Sequence, residues 1–312
     1  TESNNIALQG LKEYAEKTGK KHIITTSIEH KSILETAKYM ELNGYEVDFI
    51  DPNESGQISI EEVLEKLRKD TLLVSIMHVN NETGVIQPVL ELGEEIQKRG
   101  ILFHIDATQS CGKLVEEIRN LKYDMLSFSA HKLMGPQGVG ALILKRKLYK
   151  RPPIKGIMYG GQQEQGIRPG TIPVALVVGC GKACEIAEHE YKENERHSLQ
   201  IKEAILFVLE ESGLKYQING NQDVCVSSTL NIAIDGVSSE ALMISSKQYC
   251  GISNGSACTS SNYSPSYVLA AMGLDGSRIE ASLRLSWGPN SDLKEVVDNF
   301  KKLLYVAKLM AN

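Results

Sequence analysis

The stretch TLLVSIMHVNNETGVIQPVLELGEEIQKRGILFHID, residues 71–106, decides the fold class. It opens with residues 71–78, whose nearly unbroken apolar run predicts a buried strand. Residues 90–99 have apolar side chains at helical spacing and predict a helix, and residues 101–105 predict a second strand. Two strands joined by a helix form a βαβ unit, in which the strands lie parallel. The stretch therefore predicts an α/β domain with a mostly parallel sheet.

The same alternation of strand and helix continues on both sides of this unit. Before it, strands are predicted at residues 22–27 and 46–50, with a helix at residues 32–43 between them. After it, the short apolar segments 123–128 and 139–144 predict two more strands. These segments enlarge the predicted sheet, so that one large α/β domain occupies the first part of the chain.

A long helical stretch from Pro173 toward Leu209 contains the predicted domain boundary, near residue 187. Residues 1–187 would form the large domain, and residues 188–312 would form a smaller α+β domain with a looser pattern. The predicted elements of the smaller domain are strands at residues 228–234 and 282–287 and helices at residues 239–248, 267–272 and 293–310.

The composition excludes several classes of protein. Of the 312 residues, 42% are apolar and 23% are charged, which is typical of globular proteins and argues against a disordered or fibrous chain. The 34 basic and 39 acidic side chains give a formal net charge of −5. A protein that binds nucleic acid by neutralising phosphates usually carries a basic excess, so direct binding of nucleic acid is not expected.

The apolar segments and the cysteines favour a cytoplasmic protein. The longest apolar stretch, residues 172–181, is about half as long as a membrane span requires, and no signal-peptide pattern precedes the domain. Six cysteines are too few for a disulfide scaffold in a chain of this length. No pair has the CxxC spacing of a zinc ribbon or a dithiol redox site. We therefore expect no membrane anchor and no metal site.

Four predicted strands are each followed directly by polar side chains that could take part in chemistry. Because ligands of a parallel sheet bind beyond the carboxyl ends of its strands, these side chains are expected to form one site at one edge of the sheet. They are Glu29 and His30, Asn80 and Asn81, Asp106 and Gln109, and Ser129, His131 and Lys132.

Pyridoxal phosphate (PLP) fits this set of side chains. A lysine forms a Schiff base with PLP, a carboxylate pairs with its protonated pyridine nitrogen, and hydroxyls and backbone amides hold its phosphate. Lys132 is the candidate for the Schiff base, and Asp106 is the candidate for the ring nitrogen. The chain has neither an HExxH metal motif nor a GxxxxGK[ST] phosphate loop, and no GxGxxG dinucleotide motif follows a strand.

Each of these residues also has a purely structural interpretation. An aspartate at a strand end is about as often a helix N-cap, and a lone lysine in a loop is usually solvated. His78 and His104 lie within apolar strands and are expected to be hydrogen-bonded residues of the core. Four strands ending in polar side chains favour the catalytic interpretation more than any single residue does.

Cys258 differs from the other cysteines because its surroundings are polar. It lies in a loop, residues 253–266, without the apolar periodicity that would bury it. An exposed thiol is a liability unless reactive chemistry requires it, so Cys258 is the candidate nucleophile. The remaining cysteines are expected to pack as small apolar side chains; they are Cys111, Cys180, Cys184, Cys225 and Cys250.

Taken in order, these segments resemble the cysteine desulfurases, which are fold-type-I PLP enzymes of the class V aminotransferase superfamily. The resemblance is greatest to the nitrogen-fixation and iron–sulfur-cluster group, and it implies a three-layer PLP-transferase large domain beside the smaller α+β domain. The segments that carry it are TESNN (1–5), EH (29–30), HVNNETGVIQP (78–88), HIDATQSCGK (104–113), SFSAHKLMGPQGVGAL (127–142), IRPGT (167–171), NGSACTSSNYSPSYVL (254–269) and SLRLSWG (282–288).

The resemblance implies a role for each matched residue. Lys132 would bind PLP covalently, Asp106 would pair with its ring nitrogen, and Gln109 would bind its ring hydroxyl. His30 would stack on the ring and move protons. Cys258 would attack the sulfur of the substrate L-cysteine and end as a persulfide, from which an acceptor protein, a scaffold or a sulfurtransferase, takes the sulfur. The phosphate of PLP would be bound by Thr1, Ser129 and His131. In a homodimer, Thr171 would bind the phosphate in the partner subunit. The substrate carboxylate would be bound by Asn81 and Arg284, and Asn81 would also contact the cofactor.

Some positions depart from the pattern of this group. Gln163 and Gln165 stand where His and Arg are expected, and Gln137 stands where Lys is common. None of these removes a catalytic group, but they leave open which protein accepts the sulfur. Since Thr1 would bind phosphate, the resemblance also implies that the start of the large domain precedes this chain. A selenocysteine lyase or another class V PLP enzyme, and a non-catalytic scaffold for sulfur relay, remain as alternatives.

Overall fold

The computed structural model describes residues 1–255 and 265–311 and divides the chain into two compact units. The first unit comprises Thr1–Asp51, Ile58–Val79 and Gln87–Tyr191. The second comprises Pro52–Gln57, Asn80–Ile86 and the described part of Lys192–Asn312. Two short segments of the chain therefore belong to the second unit before Tyr191, and all described residues after Tyr191 belong to that unit. The boundary that we place near residue 187 stays a prediction.

The first unit contains a six-stranded sheet with the order β2-β1-β3-β4-β5-β6. Neighbouring strands are parallel except for β5 and β6, which are antiparallel. This confirms the mostly parallel sheet expected from the sequence. The strands are β1 (His22–Thr26), β2 (Glu46–Ile50), β3 (Thr71–Met77), β4 (Leu102–Asp106), β5 (Met125–Ser129) and β6 (Gly140–Leu144).

The helices of the first unit connect these strands, and two of them precede β1. They are α1 (Glu2–Gln9), α2 (Lys12–Thr18), α3 (Lys31–Leu42), α4 (Ile60–Glu65), α5 (Val89–Lys98), α6 (Val115–Asn120) and the first part of α7 (Val174–Glu211). The sequence does not predict α1, because ESNNIALQ has too few apolar residues to show a period. Tertiary packing stabilises it instead, since Ile6, Ala7 and Leu8 are buried.

The sheet lies between two apolar layers, because successive side chains of a strand point to opposite faces. Ile23 and Leu73 pack on one face with α1 and α3, whereas the next residues along, Ile24 and Val74, pack on the other face with α5 and α7. This is the three-layer architecture that the resemblance implies. It leaves the ends of the strands free of the core, and the polar residues lie there.

The second unit is built on an antiparallel sheet of three strands in the order β7-β8-β9. They are β7 (Tyr216–Ile218), β8 (Thr229–Ile234) and β9 (Ser282–Ser286). Side chains of β8 and β9 form one core with the final helix and the second part of α7. The other helices of this unit are α8 (Ser239–Ser246), α9 (Tyr267–Ala271), α10 (Gly276–Glu280) and α11 (Leu293–Ala311). Among the helices described, none is long and apolar enough to cross a membrane.

Candidate active site

Asp106 is the last residue of β4 and pairs in register with Met77 at the end of β3. Its side chain is 4% exposed. Oδ1 accepts a hydrogen bond from the backbone N–H of Thr108 at 3.0 Å, and Oδ2 accepts one from Asn4 Nδ2 at 2.8 Å. Both partners are neutral, so they hold the carboxylate in place without cancelling its charge. Asp106 is therefore suited to a cationic ligand group.

A chain of side chains connects Asp106 to His30. Asn4 Nδ2 also donates to Ser32 Oγ at 2.8 Å, and Ser32 Oγ lies 2.8 Å from His30 Nδ1. His30 is the N-cap of α3, and its Nδ1 accepts from the backbone N–H of Ser32 at 3.2 Å. Two of the predicted site residues are thus brought together by Asn4 and Ser32, which the sequence analysis did not identify.

The surroundings of His30 favour the neutral form of its imidazole. Burial lowers the pKa of His30, and the positive charge of Lys132 lowers it further, while the negative charge of Asp106 acts in the opposite direction. Lys132 lies close enough for its charge to be felt at His30, so the structure brings the candidate lysine, aspartate and histidine into one region of the first unit.

Glu29 lies behind this region and is fully buried. Its Oε1 accepts hydrogen bonds from the backbone N–H of Met77 at 2.7 Å and from Thr26 Oγ1 at 2.9 Å. Burial raises the pKa of Glu29 to about 8, and the negative charge of Asp106 adds to the rise. A carboxyl that is protonated at neutral pH therefore joins the ends of β1 and β3.

Lys132 lies in a 3-10 turn, Ala130–Leu133, directly after β5. Met134 follows in a left-handed conformation with φ of 65°, and Gly135 N–H donates to Ala130 O at 2.9 Å. A Cβ on Gly135 would lie 2.9 Å from Ala130 O, so only glycine allows the chain to turn back here. This sharp turn holds Lys132 at the carboxyl edge of the sheet.

Ser129 and His131 lie beside this lysine in the sequence. Ser129 Oγ lies 2.8 Å from His131 Nδ1, and burial together with the charge of Lys132 lowers the pKa of His131. Burial also lowers the pKa of Lys113 to about 8, again with a contribution from Lys132. Gln109 is half-buried three residues after β4. The groups predicted after β4 and β5 therefore lie at the same edge of the sheet.

Thr1 and Thr171 lie at exposed positions of the first unit. Thr1 is the N-cap residue of α1, the helix that carries Asn4, and its side chain makes no capping hydrogen bond. Thr171 precedes α7 and is exposed. The phosphate roles of both residues stay predictions.

The two core histidines differ. His104 is buried, with Nδ1 2.8 Å from Ser75 Oγ and Nε2 2.8 Å from Ser127 Oγ, and burial lowers its pKa to about 4. His78 is also buried, with Nε2 2.9 Å from Glu117 Oε1, but its Nδ1 has no hydrogen-bond partner in the part of the chain that the structure describes. The expectation of a fully bonded core histidine is therefore confirmed for His104 and wrong for His78.

In the second unit, Arg284 on β9 lies beside Asn81. Arg284 Nη1 donates to the backbone oxygen of Asn81 at 2.8 Å. Asn81 belongs to the segment Asn80–Ile86, which is fixed in this unit because Ile86 N–H donates to Val224 O at 2.8 Å and Val226 N–H donates to Gly84 O at 3.0 Å. The two residues predicted to bind the substrate carboxylate are thus neighbours.

Both ends of the predicted cysteine loop are attached next to this pair. Before the loop, Ser253 forms a β-bridge with Arg284. After it, Ser266 Oγ donates to the carboxylate of Glu82, the residue that follows Asn81. Cys258 itself lies outside the described residues. Of the remaining cysteines, Cys111, Cys180 and Cys184 pack against the core of the first unit and Cys250 against that of the second, as expected, while Cys225 is half-buried against the segment that carries Asn81.

The side chains of the first unit fit PLP. Among the described residues, the hydrogen-bond donors to the buried Asp106 carboxylate are neutral, so it would suit a cationic pyridine nitrogen, and Lys132 could supply the amine for a covalent bond. Ser129 and His131 offer groups for a phosphate. The buried acceptor Asn4 Oδ1 has no hydrogen-bond partner among residues 1–255 and 265–311, which is costly in a purely structural arrangement.

Comparison with known proteins identifies the family. Residues 1–300 match the Aminotransferase class-V family. The cysteine desulfurase IscS of Vibrio vulnificus (strain YJ016) is 41% identical over 296 residues, covering 95% of this chain and 72% of that protein. The chain belongs to the cysteine desulfurases of this family. The IscS of Pseudoalteromonas translucida (strain TAC 125) is 39% identical over 312 residues, covering 100% of this chain and 74% of that protein.

Solved structures agree with this membership. DndA from Streptomyces lividans has a TM-score of 0.82 and 43% identity, covering 92% of this chain and 80% of that one. A NifS-like protein has a TM-score of 0.89 and 33% identity, covering 99% and 80%. SspA, solved in complex with cysteine, has a TM-score of 0.78 and 35% identity, covering 93% and 80%. The desulfurase is accordingly a PLP-dependent enzyme that acts on L-cysteine and transfers its sulfur to an acceptor.

Asn4 and Ser32 are the site residues that sequence reasoning missed. Asn4 lies in TESNN, one of the segments that carry the resemblance, but its residue type suggests no single role. Ser32 begins α3 and looks like any helix-start serine. Neither can be assigned without the positions of α1 and α3, which bring residues 4, 32 and 106 together.

Proposed function

We propose that this desulfurase converts L-cysteine to L-alanine and holds the sulfur as a persulfide on Cys258 before an acceptor protein takes it. The observation that carries the proposal lies in the second unit. Both described ends of the Cys258 segment attach beside Asn81 and Arg284, through the Ser253–Arg284 bridge and the Ser266–Glu82 hydrogen bond. The segment that contains Cys258 therefore begins and ends beside the residues that we propose to bind the substrate carboxylate.

In the first unit, the proposed roles are those that the resemblance implies, and the position of these residues at one edge of the sheet supports them. PLP, when bound, supplies the electron sink that makes a proton and a sulfur of cysteine labile. Lys132 would hold the cofactor and then take the Cα proton of the substrate. Asp106 would keep the ring nitrogen protonated, Gln109 would bind the ring hydroxyl, and His30 would lie on the ring face. Thr1, Ser129 and His131 would hold the phosphate.

Substrate binding would depend on Arg284. Its guanidinium can hold a carboxylate with two parallel N–H bonds, and Asn81 can add an amide donor. L-cysteine, with one carboxylate, matches this donor pair.

The sulfur step would be an attack by the Cys258 thiolate on the substrate sulfur. A new S–S bond forms as the substrate C–S bond breaks, and the bonding electron pair goes to the carbon, which later takes a proton to give alanine. The sum is L-cysteine plus the Cys258 thiol giving L-alanine plus the Cys258 persulfide, with no external oxidant. The thiolate is required because a neutral thiol is a poor nucleophile.

Cys258→Ala tests the proposal, with Cys250→Ala as the matched control. Cys250 is half-buried against the core of the same unit and has no proposed role. Alanine release from cysteine should be lost in Cys258→Ala and kept in Cys250→Ala, while both variants keep bound cofactor by absorbance. A persulfide found on Cys258 by alkylation and mass spectrometry after incubation with cysteine would support the assignment. Full alanine release from Cys258→Ala refutes it, and faster release from selenocysteine than from cysteine would favour a selenocysteine lyase.

We further propose a homodimer in which Thr171 reaches the phosphate site of the partner subunit. Several large apolar side chains near Thr171 in the sequence are exposed: Leu148, Tyr149, Tyr159, Val174 and Val178. Exposed apolar side chains of this number favour a protein interface, and a second copy would cover them. Val178→Glu should shift the mass in analytical ultracentrifugation from dimer to monomer; a wild-type monomer overturns the proposal.

We also propose a role for each domain and a cellular location for the enzyme. The PLP site would belong to residues 1–187, and the cysteine loop would belong to residues 188–312. The enzyme would act in the cytoplasm and deliver sulfur to a scaffold or a sulfurtransferase in iron–sulfur cluster assembly. Crosslinking of cell extract to protein whose Cys258 carries labelled sulfur, followed by tracing of the label, would identify the acceptor.

A further inference from the structure

We propose that Asn4 and Ser32 form a relay that fixes His30 as the neutral tautomer protonated on Nε2 and ties its ring to the Asp106 carboxylate. Asn4 and Ser32 would then be positioning residues, acting on the reaction through His30 and Asp106. The functional importance of this relay depends on the proposed function, but the tautomer is a property of the chain itself.

The orientation of the Asn4 amide follows from its neighbours. Nδ2 lies 2.8 Å from Asp106 Oδ2 and 2.8 Å from Ser32 Oγ, and it has one hydrogen for each. The flipped amide would place Oδ1 against the carboxylate, where two acceptors would repel each other. Asn4 is 3% exposed and Asp106 is 4% exposed, so water does not offer an alternative partner. Asn4 is therefore a donor to both groups.

The position of the Ser32 hydrogen follows from Asn4. Because Ser32 Oγ already accepts from Asn4, its own hydrogen is available for His30 Nδ1, 2.8 Å away. The backbone N–H of Ser32 also points to Nδ1, at 3.2 Å. Two donors converge on one ring nitrogen, which must be the unprotonated nitrogen of a neutral imidazole. The single ring proton is then on Nε2.

Protonation of His30 would break both of these bonds. An imidazolium carries hydrogens on both nitrogens, so Nδ1 could no longer cap α3 or accept from Ser32. Burial acts in the same direction and lowers the pKa of His30. The charged side chains that act on this ring are Asp106, which favours the imidazolium, and Lys132 and Lys31, which disfavour it.

A neutral His30 that is protonated on Nε2 is a hydrogen-bond donor at Nε2, the ring nitrogen that does not bond to Ser32. The histidine would donate from Nε2 toward the substrate or cofactor and could not act as a base at Nε2 without first losing that hydrogen. Asn4 Oδ1 is buried without a hydrogen-bond partner among the described residues, which indicates that the amide is oriented by the two bonds that its Nδ2 donates.

Imidazole ¹⁵N NMR of the cofactor-free protein tests the tautomer directly, because it needs no turnover. The resonance of His30 is assigned by comparison with His30→Gln. In the wild type near neutral pH, Nδ1 should show the shift of an unprotonated nitrogen and Nε2 that of a protonated one. A wild-type spectrum with the proton on Nδ1, or with a charged ring, overturns the proposal without any variant.

Variants then test the relay. Ser32→Ala and Asn4→Ala should give a mixture of tautomers and raise the pKa of His30, and their affinity for PLP should fall about 3- to 30-fold. Asn5→Ala is the matched control, because Asn5 is the next residue of α1 and bonds within its own helix, to Thr1 O and Gln9. Unchanged His30 spectra in both relay variants would refute the relay. If the tautomer is as proposed but the wild type releases no alanine from cysteine, the proposed function fails and the relay stands.

Discussion

The charged groups at the two candidate binding regions are held in different ways. Asp106, in the first unit, is buried, and its carboxylate accepts hydrogen bonds from the Asn4 side chain on α1 and from the backbone N–H of Thr108. Arg284, in the second unit, is half-buried; its backbone forms a bridge with Ser253, and its guanidinium donates to the backbone oxygen of Asn81. The first arrangement holds the Asp106 carboxylate in one position, which suits a cofactor that stays bound to the enzyme. The second places a guanidinium beside Asn81, where we propose that the carboxylate of a substrate binds.

Removing the charge of Asp106 should have the largest effect. Asp106→Asn keeps the shape of the side chain but loses the negative charge opposite the ring nitrogen, and kcat should fall at least about 100-fold. Steady-state alanine release measures the change. Cofactor absorbance measured on the same samples would separate weaker binding of PLP from slower chemistry.

Asp124→Asn is the matched control for this substitution. Asp124 is also a buried aspartate beside the sheet, but it accepts from the backbone N–H of Phe103 at 3.0 Å and pairs with Lys147 Nζ at 2.8 Å. Its substitution should cost about 1–3 kcal/mol of stability and leave kcat within about twofold. Equal loss of activity in the two variants would mean that Asp106 is only structural.

The next largest effect is expected at Arg284. Arg284→Lys keeps the charge but loses the planar fork, and the loss of one charge-assisted hydrogen bond should raise KM for cysteine about tenfold or more. Since Arg284 would bind the ground state and the transition state alike, kcat should change less. Arg278→Lys is the control, because Arg278 binds Asn219 and Ile218 O inside the same unit. A fall in kcat at constant KM would contradict a role in binding.

The difference between the two regions also explains what the sequence could predict. The residues after β4 and β5 follow apolar strands directly, so the rule that ligands bind at the carboxyl ends of parallel strands finds Asp106 and Lys132. No such rule finds Arg284, which lies within a strand of an antiparallel sheet. Its neighbours, Asn81 and Ser253, are far from it along the chain. The resemblance to the family supplied Arg284, and the local pattern did not.

Short and polar elements were missed for similar reasons. β7 has three residues, Tyr216–Ile218, and is too short to show alternation. The segment Asn80–Ile86 has no helical or strand period, so nothing in it indicates that it belongs to the second unit. Asn4 was missed because its role arises from contacts with residues 32 and 106, which only the packing of α1 against α3 creates.

A smaller effect is expected from weakening the anchor of the cysteine loop. Glu82→Gln replaces the charge-assisted hydrogen bond from Ser266 with a neutral one, while Ser266 keeps its bond to Leu269 N–H at 3.1 Å. Persulfide formation on Cys258 in a single turnover should slow about three- to tenfold, with unchanged affinity for PLP. Loss of PLP binding instead would show that the substitution disturbs more than the second unit's anchor.

The free energy of unfolding is expected to depend on pH through Glu29, which is buried in the first unit. The pKa of Glu29 is raised from 4.5 to about 8, so between these pH values the folded protein holds a proton that the unfolded chain has lost. The stability contributed by the protonated carboxyl is therefore fully present below about pH 4.5 and is lost as the pH rises through 8, by at most about 1.4 kcal/mol per pH unit.

Glu29→Gln is neutral throughout and can keep the bonds to Met77 and Thr26. Urea unfolding at several pH values should show the variant gaining on the wild type toward alkaline pH, while Glu16→Gln, at an exposed position of α2, runs parallel to the wild type. Parallel curves for Glu29→Gln and the wild type would mean that Glu29 is ionised in the folded protein.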